Sequence, residues 1–304
     1  RGHVSETRED DGGGLIYYDK STMGIIRPFL RVVAFVFLAG KLPGTTEAKR
    51  FATAEKEAKL DRLSELIWFV NDNINIVSRS SDPTPEDIRF QHVDDCIPLH
   101  HAIRRHLDEK KSLRISRHGS TGRSPEKDDE EEHSLLDIGS GGGFPGLVIQ
   151  IMQPNLKVTM IEATRKKCDF LVAASQSMGF TRTEVIWGRA ETMAHDEKLR
   201  ESFTVVTARA VADLRTLVEL CLPFVQVGGR MYAMKGPRHK ADEEIHGAGE
   251  ALRLLGGEVC EVQELEDRGP LIGKRTIVIV RKVRSSPRKY PRLHTIMKQD
   301  PLIG

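Results

Sequence analysis

From Leu135 onward, short apolar runs alternate with amphipathic stretches. Leu135–Gly139, Lys157–Glu162, Glu184–Trp187, Phe203–Ala208 and Arg230–Met234 read as strands. Helical spacing follows each of them: Pro145 to about Met152, Thr164 to about Met178, from about Glu191, Val211 to about Phe224, and Ala241 to Leu255. Two last strands, Glu258–Glu264 and Thr276–Arg281, have no helix between them. Alternating strands and helices predict a parallel sheet, and the closing pair predicts an antiparallel hairpin near its edge. The expected fold is α/β and Rossmann-like: a mostly parallel seven-stranded sheet with a terminal β-hairpin, spanning 134–284.

Upstream, Leu60, Leu63, Leu66, Ile67 and Val70 recur at three- and four-residue spacing and predict a helix from about Ala54 to Asn73. A second helix is expected from Pro85-Glu86, capped by Thr84, to about Leu107, with a kink or division at Pro98. Residues 49–108 therefore form a small helical N-terminal region. Residues 1–48 hold the breakers Gly12-Gly13-Gly14 and Leu42-Pro43-Gly44 and read as a poorly structured extension. Residues 109–133 lose the apolar period and end in the acidic run Asp128 to Glu132, which reads as a charged, solvated linker or insertion. Residues 285–304 read as a basic C-terminal tail. The apolar run Val32 to Ala39 is far short of the ~20 residues needed to span a bilayer. It follows Arg27 and Arg31, but Glu6, Glu9, Asp10 and Asp11 precede it, unlike a secretory signal or a transit peptide. No membrane partner is expected.

Composition narrows the classes. The 304 residues are 39% hydrophobic and 30% charged, with a net charge of +2, so affinity for nucleic acid has to come from local clustering. The four cysteines form no C-x-x-C pair, which suits a reducing compartment. The eleven histidines include no H-E-x-x-H, and His100, His101 and His106 read as surface or core positions, so no metal is expected.

Candidate chemistry begins at Asp137-Ile138-Gly139-Ser140-Gly141-Gly142-Gly143-Phe144-Pro145-Gly146, a strand end, a glycine turn and a helix start. Ligands of doubly wound sheets sit at such strand ends. From Gly141 the glycines fit G-x-G-x-x-G, and Glu162 follows at about the twenty-residue distance of a ribose-binding acid, so a dinucleotide stays open. Asp137, two residues before Gly139, and the terminal hairpin favour S-adenosylmethionine. The glycine backbone at 139–143 would then hold the methionine part, and Glu162 would take the ribose hydroxyls unless it is merely an acid favoured by the following helix dipole. Gly188-Arg189-Ala190-Glu191 falls where the base should lie, although Glu191 also suits a first helical turn.

This stretch, with Glu162-Ala163-Thr164-Arg165-Lys166-Lys167-Cys168-Asp169-Phe170-Leu171, Gly188-Arg189-Ala190-Glu191, Thr207-Ala208-Arg209-Ala210-Val211 and Met234-Lys235-Gly236, strongly resembles the RsmG family, also called GidB. The resemblance covers about residues 60 to 301, apart from the 109–133 insertion. It implies a class I methyltransferase that uses S-adenosylmethionine to methylate N7 of a guanine in small-subunit, 16S-type ribosomal RNA. The implied cofactor contacts are Gly139, Gly141, Phe144, Ala190, Glu191 and Arg209, with Glu162 on the ribose. Asn75-Ile76-Val77 and His92-Val93-Asp94-Asp95-Cys96 are weaker likenesses of the family's N-L-T and H-x-x-D-S-L segments. Val77 stands for the usual threonine and Cys96 for the usual serine, and neither segment is counted among the site residues.

The guanine N7 lone pair needs no base to release it. Accordingly, Thr207-Ala208-Arg209-Ala210 stands where amine methyltransferases carry N/D-P-P-Y/F, and no cysteine nucleophile stands at that strand end. Arg209 and Lys235, at the exits of strands four and five, are the candidate catalytic residues; Arg209 could instead be a structural ion pair with a cleft carboxylate. Between Lys274 and Lys298 lie nine Lys or Arg and no Asp or Glu, a phosphate-binding composition. Lys289, Tyr290 and Arg292, in a K-Y-P-R match to the family, are the candidate RNA contacts, with Tyr290 free to stack on a base. The expected partner is small-subunit ribosomal RNA or the 30S-type subunit, bound by a monomer. The alternatives are an NAD(P)-dependent oxidoreductase and an inactive RNA-binding or assembly factor. The N-terminal extension and the insertion point to a plastid, with bacterial cytoplasm as the alternative.

Overall fold

A computed structural model describes residues 16–17, 45–77, 83–119, 133–270 and 272–303. Seven longer strands belong to one eight-stranded sheet: β1 Ser134–Ile138, β2 Lys157–Glu162, β3 Thr183–Trp187, β4 Phe203–Arg209, β5 Val225–Lys235, β6 Gly257–Glu264 and β7 Thr276–Lys282. Their order is β3-β2-β1-β4-β5-β7-β6, with β1 to β5 parallel and β7 antiparallel to both neighbours. The two-residue strand Ile16–Tyr17 pairs antiparallel with Ile186 and Trp187 of β3, inside the stretch expected to be poorly structured; the rest of 1–44 lies outside the described residues.

The helices are α1 Thr45–Ile74, α2 Pro85–Ile88, α3 Ile97–Gly119, α4 Gly146–Met152, α5 Arg165–Ser177, α6 Ala190–Met193, α7 Leu214–Cys221, α8 Arg238–Gly247, α9 Gly249–Leu255 and α10 His294–Gln299. They cover both faces of the sheet. On one face, Leu60, Leu63 and Ile67 of α1 join Leu99 and Ile103 of α3 and Leu147 and Leu171 in one apolar cluster. On the other, Leu217, Leu252 and Leu255 pack with Tyr290 and Met297. The central strands are buried on both sides, which explains their continuous apolar runs.

The departures from expectation have local causes. α1 begins at Thr45, and α3 continues to Gly119, past the expected boundary at 108; residues 120–132, with the acidic run, lie outside the described residues. The second helix starts as expected, with a Thr84–Asp87 capping box. It then passes through a π turn, Arg89–Val93, and a 3-10 turn, Asp94–Cys96. The irregularity therefore precedes Pro98, which stands at the second position of α3, where its missing N–H is harmless. α7 starts at Leu214 and not Val211, because Asp213 caps it by accepting the Thr216 N–H at 2.9 Å. The expected Ala241–Leu255 helix is two helices divided at Gly247-Ala248-Gly249. Residues 285–303 are not a free tail: Tyr290 and Met297 are buried in the second core. Among the described residues no helix is long and apolar enough to cross a membrane.

Because β1 to β5 are parallel, their carboxyl ends share one edge. β7 begins at that edge, with Thr276 opposite Lys235, and ends at the other, with Arg281 opposite Arg230.

Candidate active site

The glycine turn leaves β1 at the point where strand order reverses. Gly139 is exposed, with φ of +68°, and a Cβ there would lie 2.9 Å from Val211 Cγ2. A Cβ on Gly142 would lie 2.4 Å from Ile76 Cγ2, so the loop after α1 seats directly on the turn. Asn71 shapes that loop, its Oδ1 accepting the Ile76 and Val77 N–H groups at 2.8 and 2.9 Å. Asp137 is fully buried beneath the turn. It accepts the Gly146 N–H at 3.0 Å and the Thr207 hydroxyl at 3.0 Å, joining β1, β4 and the start of α4. Burial lifts its carboxyl to about 6 despite these donors, so Asp137 braces the turn from within.

Glu162 ends β2, and its Oε2 accepts the Gly141 N–H at 3.0 Å. Its Oε1 accepts the Thr164 N–H at 2.8 Å, so it serves the helix start as well as facing the turn. Each oxygen keeps a further lone pair for a hydroxyl donor. Ala190 and Glu191 open α6 beyond β3; Glu191 is buried, with exposed Arg189 at 3.9 Å. The exposed Gly139 backbone, the open space around Gly141 and the carboxylates at the next two strand ends fit an elongated cofactor with a ribose.

Phe144 and Arg209 meet beside this strip, and the N-terminal helices complete their setting. The Arg209 guanidinium lies 4.9 Å from the Phe144 ring centroid, and His92 stacks on that ring at 5.4 Å. Arg209 Nη1 donates to the His92 carbonyl at 3.1 Å and to Asp95 Oδ2 at 3.2 Å. Its Nη2 lies 3.3 Å from His92 Nδ1. The ion pair that the sequence left open is thus present. Burial, reinforced by the Arg209 charge, pushes His92 down to about 4, so the ring is neutral near pH 7 and its Nδ1 faces Arg209 as an acceptor. Cys96 is a buried thiol whose burial pushes it up to about 12, which makes it no nucleophile. The sequence alone does not place His92, Asp95 and Cys96 in the site. Their signal was the weak H-x-x-D segment, blurred by Cys96 itself.

The remaining candidates are held mainly by contacts within the chain. Lys235 does not offer its charge to a phosphate: its side chain is 8% exposed, with Nζ 2.5 Å from Glu244 and donating to the Ala212 carbonyl at 3.0 Å. Glu244 also accepts the Leu214 N–H at 2.7 Å, so this pair fixes the β4–α7 connection. Tyr290 is 4% exposed, and its ring presents no open face to a base. Arg292 gives its fork to buried Glu219, with Nε and Nη2 each at 2.8 Å from a carboxylate oxygen. Lys289 is exposed, its ammonium 5.2 Å from the Tyr290 ring centroid.

Strand order 3-2-1-4-5-7-6 with β7 reversed, together with a glycine turn and two following strand-end carboxylates, defines a class I methyltransferase. Comparison gives the family: the GidB description, rRNA small subunit methyltransferase G, matches residues 123–277. The ribosomal RNA small subunit methyltransferase G of Symbiobacterium thermophilum is 42% identical over 180 residues, 57% of this chain and 71% of its own length. That of Pelotomaculum thermopropionicum is 42% identical over 174 residues, 57% of this chain and 71% of its own. Among solved structures, the 16S rRNA (adenine(1408)-N(1))-methyltransferase from Catenulisporales acidiphilia aligns with 51% of this chain and 89% of its own, at 13% identity and a TM-score of 0.42. The chain belongs to the GidB, rRNA small subunit methyltransferase G, family.

Proposed function

We propose that this methyltransferase uses S-adenosylmethionine to methylate N7 of a guanine in small-subunit ribosomal RNA. The observation that carries the reading is Glu162, which closes the glycine turn through Gly141 at the β2 end, with β1 alone between it and Arg209 at the end of β4. When bound, the cofactor supplies an electrophilic sulfonium methyl. Gly139 and Gly141 offer backbone to its amino-acid part, Glu162 its oxygens to the ribose, and Ala190 and Glu191 the setting of the base. Guanine N7 holds an unprotonated lone pair, so the protein has to align the reactants and need not remove a proton. The surroundings of Arg209 agree with that demand: His92 points Nδ1 at the guanidinium, and Asp95 is tied to arginine. The names of the relatives support a small-subunit ribosomal RNA partner; the resemblance of the motifs and the arginine-bound Asp95 and neutral His92 support the N7 position.

Mass mapping of small-subunit ribosomal RNA from cells with and without the protein tests the reading. A guanine that loses a methyl group at N7 on deletion supports it; unchanged RNA, or loss at an exocyclic amine, overturns it. Titration discriminates the oxidoreductase alternative, because tight NAD binding without S-adenosylmethionine binding would replace the proposed cofactor. Residence in a plastid and action as a monomer belong to the same proposal, read by organelle import of a tagged chain and by its mass in solution.

A further inference from the structure

The N-terminal segment contributes one buried carboxylate to an edge otherwise built from strand ends. Asp95 is 3% exposed, and it bridges two arginines that flank the tip of β5. Its Oδ2 receives Arg209 Nη1 at 3.2 Å, from the end of β4, and Arg275 Nε at 3.5 Å, from the residue before β7. Its Oδ1 is buried and meets no donor among the described residues. The two arginines are engaged differently. Arg209 is surrounded by Phe144, His92 and Asp95. Arg275 is anchored through Nε, its side chain is 31% exposed, and its Nη groups meet no partner among the described residues. Asp95 thus shares one oxygen between two guanidiniums, and Arg209 also feels the buried Asp137 carboxylate, so Arg275 is the less fully engaged of the two. A guanidinium held at Nε presents its two Nη donors as a fork that matches a phosphate.

Resting on the methyltransferase reading above, we propose that Asp95 is a positioning residue for methyl transfer, which aims Arg275 at a phosphodiester oxygen of the target RNA while holding Arg209 at the cleft. The helical N-terminal region is then part of the active site. An arginine without this anchor would sample many rotamers, and ordering it would weaken every encounter with RNA.

The test is a double-mutant cycle with Asp95→Asn and Arg275→Ala in the full chain, using small-subunit RNA and tritiated S-adenosylmethionine. Single-turnover rate, half-saturating RNA concentration, cofactor Kd and Tm are read for each protein. The expected result is that each single variant raises half-saturation or lowers the rate about tenfold, leaves cofactor Kd within twofold, and that the double variant loses clearly less than the product of the two single losses, because only the part of Asp95 that acts through Arg209 remains to be lost. Arg275→Ala also lowers the salt slope of RNA binding by about one. Asp95→Glu, which keeps the charge, recovers part of the loss. Losses that multiply, or an Asp95→Asn change confined to Tm, overturn the proposal. If Asp95→Asn does not fold, Asp95→Glu and Arg275→Lys carry the same cycle. A wild-type protein that binds the RNA without methylating it refutes the proposed reaction, while the binding arm of the cycle still reads Asp95.

Discussion

Two groups of basic residues stand in opposite settings in the fold, one assembled from distant parts of the chain and one contiguous in sequence. At the carboxyl edge of the sheet, Arg209 and Arg275 converge on one carboxylate oxygen, and the Nη groups of Arg275 meet no partner among the described residues. In the C-terminal segment, Arg292 is matched to Glu219, Arg288 to Glu197 and Arg281 to Glu258. Lys282 is buried against Glu201 and Ser286. The reversal of β7 explains part of the difference: Arg275 precedes it at the ligand edge, whereas Arg281 and Lys282 leave it at the far edge. The contiguous basic run is thus largely matched within the fold, whereas Arg275 keeps donors that no described residue takes.

The sharpest way to break this comparison is Arg209→Met. It should lower methyl transfer by about 100-fold or more, measured at saturating cofactor, as expected when a positioned charge is lost from an active site. Arg292→Met should do the reverse. It strands the buried Glu219 carboxylate and should destabilise the fold by roughly 3–5 kcal/mol, read by denaturant unfolding, with the transfer rate kept below the melting range.

Acid sharpens the comparison further. His92, His100 and His106 are pushed down to about 4, 4 and 3, chiefly by burial. Each resists protonation in the native state, so stability falls as pH drops from about 6.5 toward 4. Asp137 has the opposite sign. With its carboxyl raised to about 6 against 3.8, the native state takes up its proton first, and acidification through that window returns stability, on the order of 2–3 kcal/mol. Asp137→Asn can keep the bond to the Gly146 N–H while its amide donates to the Thr207 oxygen. It should therefore fold, and its Tm should fall more steeply with acid than the wild type's. An unchanged Tm–pH profile would contradict the burial of the charge. The smallest effect belongs to Lys289→Ala, which should leave RNA affinity within twofold in a filter-binding assay, because this exposed charge lies in the internally matched segment.

The fold was legible where one period dominated. β2 was read at Lys157–Glu162 without error, and the other strands within a few residues except β5, which begins earlier, at Val225. The glycine turn and the carboxylates Glu162 and Glu191 are also legible, because they follow strands in chain order. The arginine node was not: Arg209 meets His92 across 117 residues, and no local pattern announces that contact. Cys96 hid the segment further by replacing a polar residue. The Arg292–Glu219 pair is hidden for the same reason, since Glu219 lies 73 residues upstream and nothing beside the basic run reveals it.

The most direct measurement places Arg209→Met and Arg292→Met side by side, recording single-turnover methyl transfer to small-subunit RNA at saturating S-adenosylmethionine together with Tm. The expected result is a rate loss of about 100-fold for Arg209→Met, and for Arg292→Met a lower Tm with the wild-type rate. A rate within twofold of wild type for Arg209→Met, or a rate loss at unchanged Tm for Arg292→Met, would contradict the assignment of the active edge.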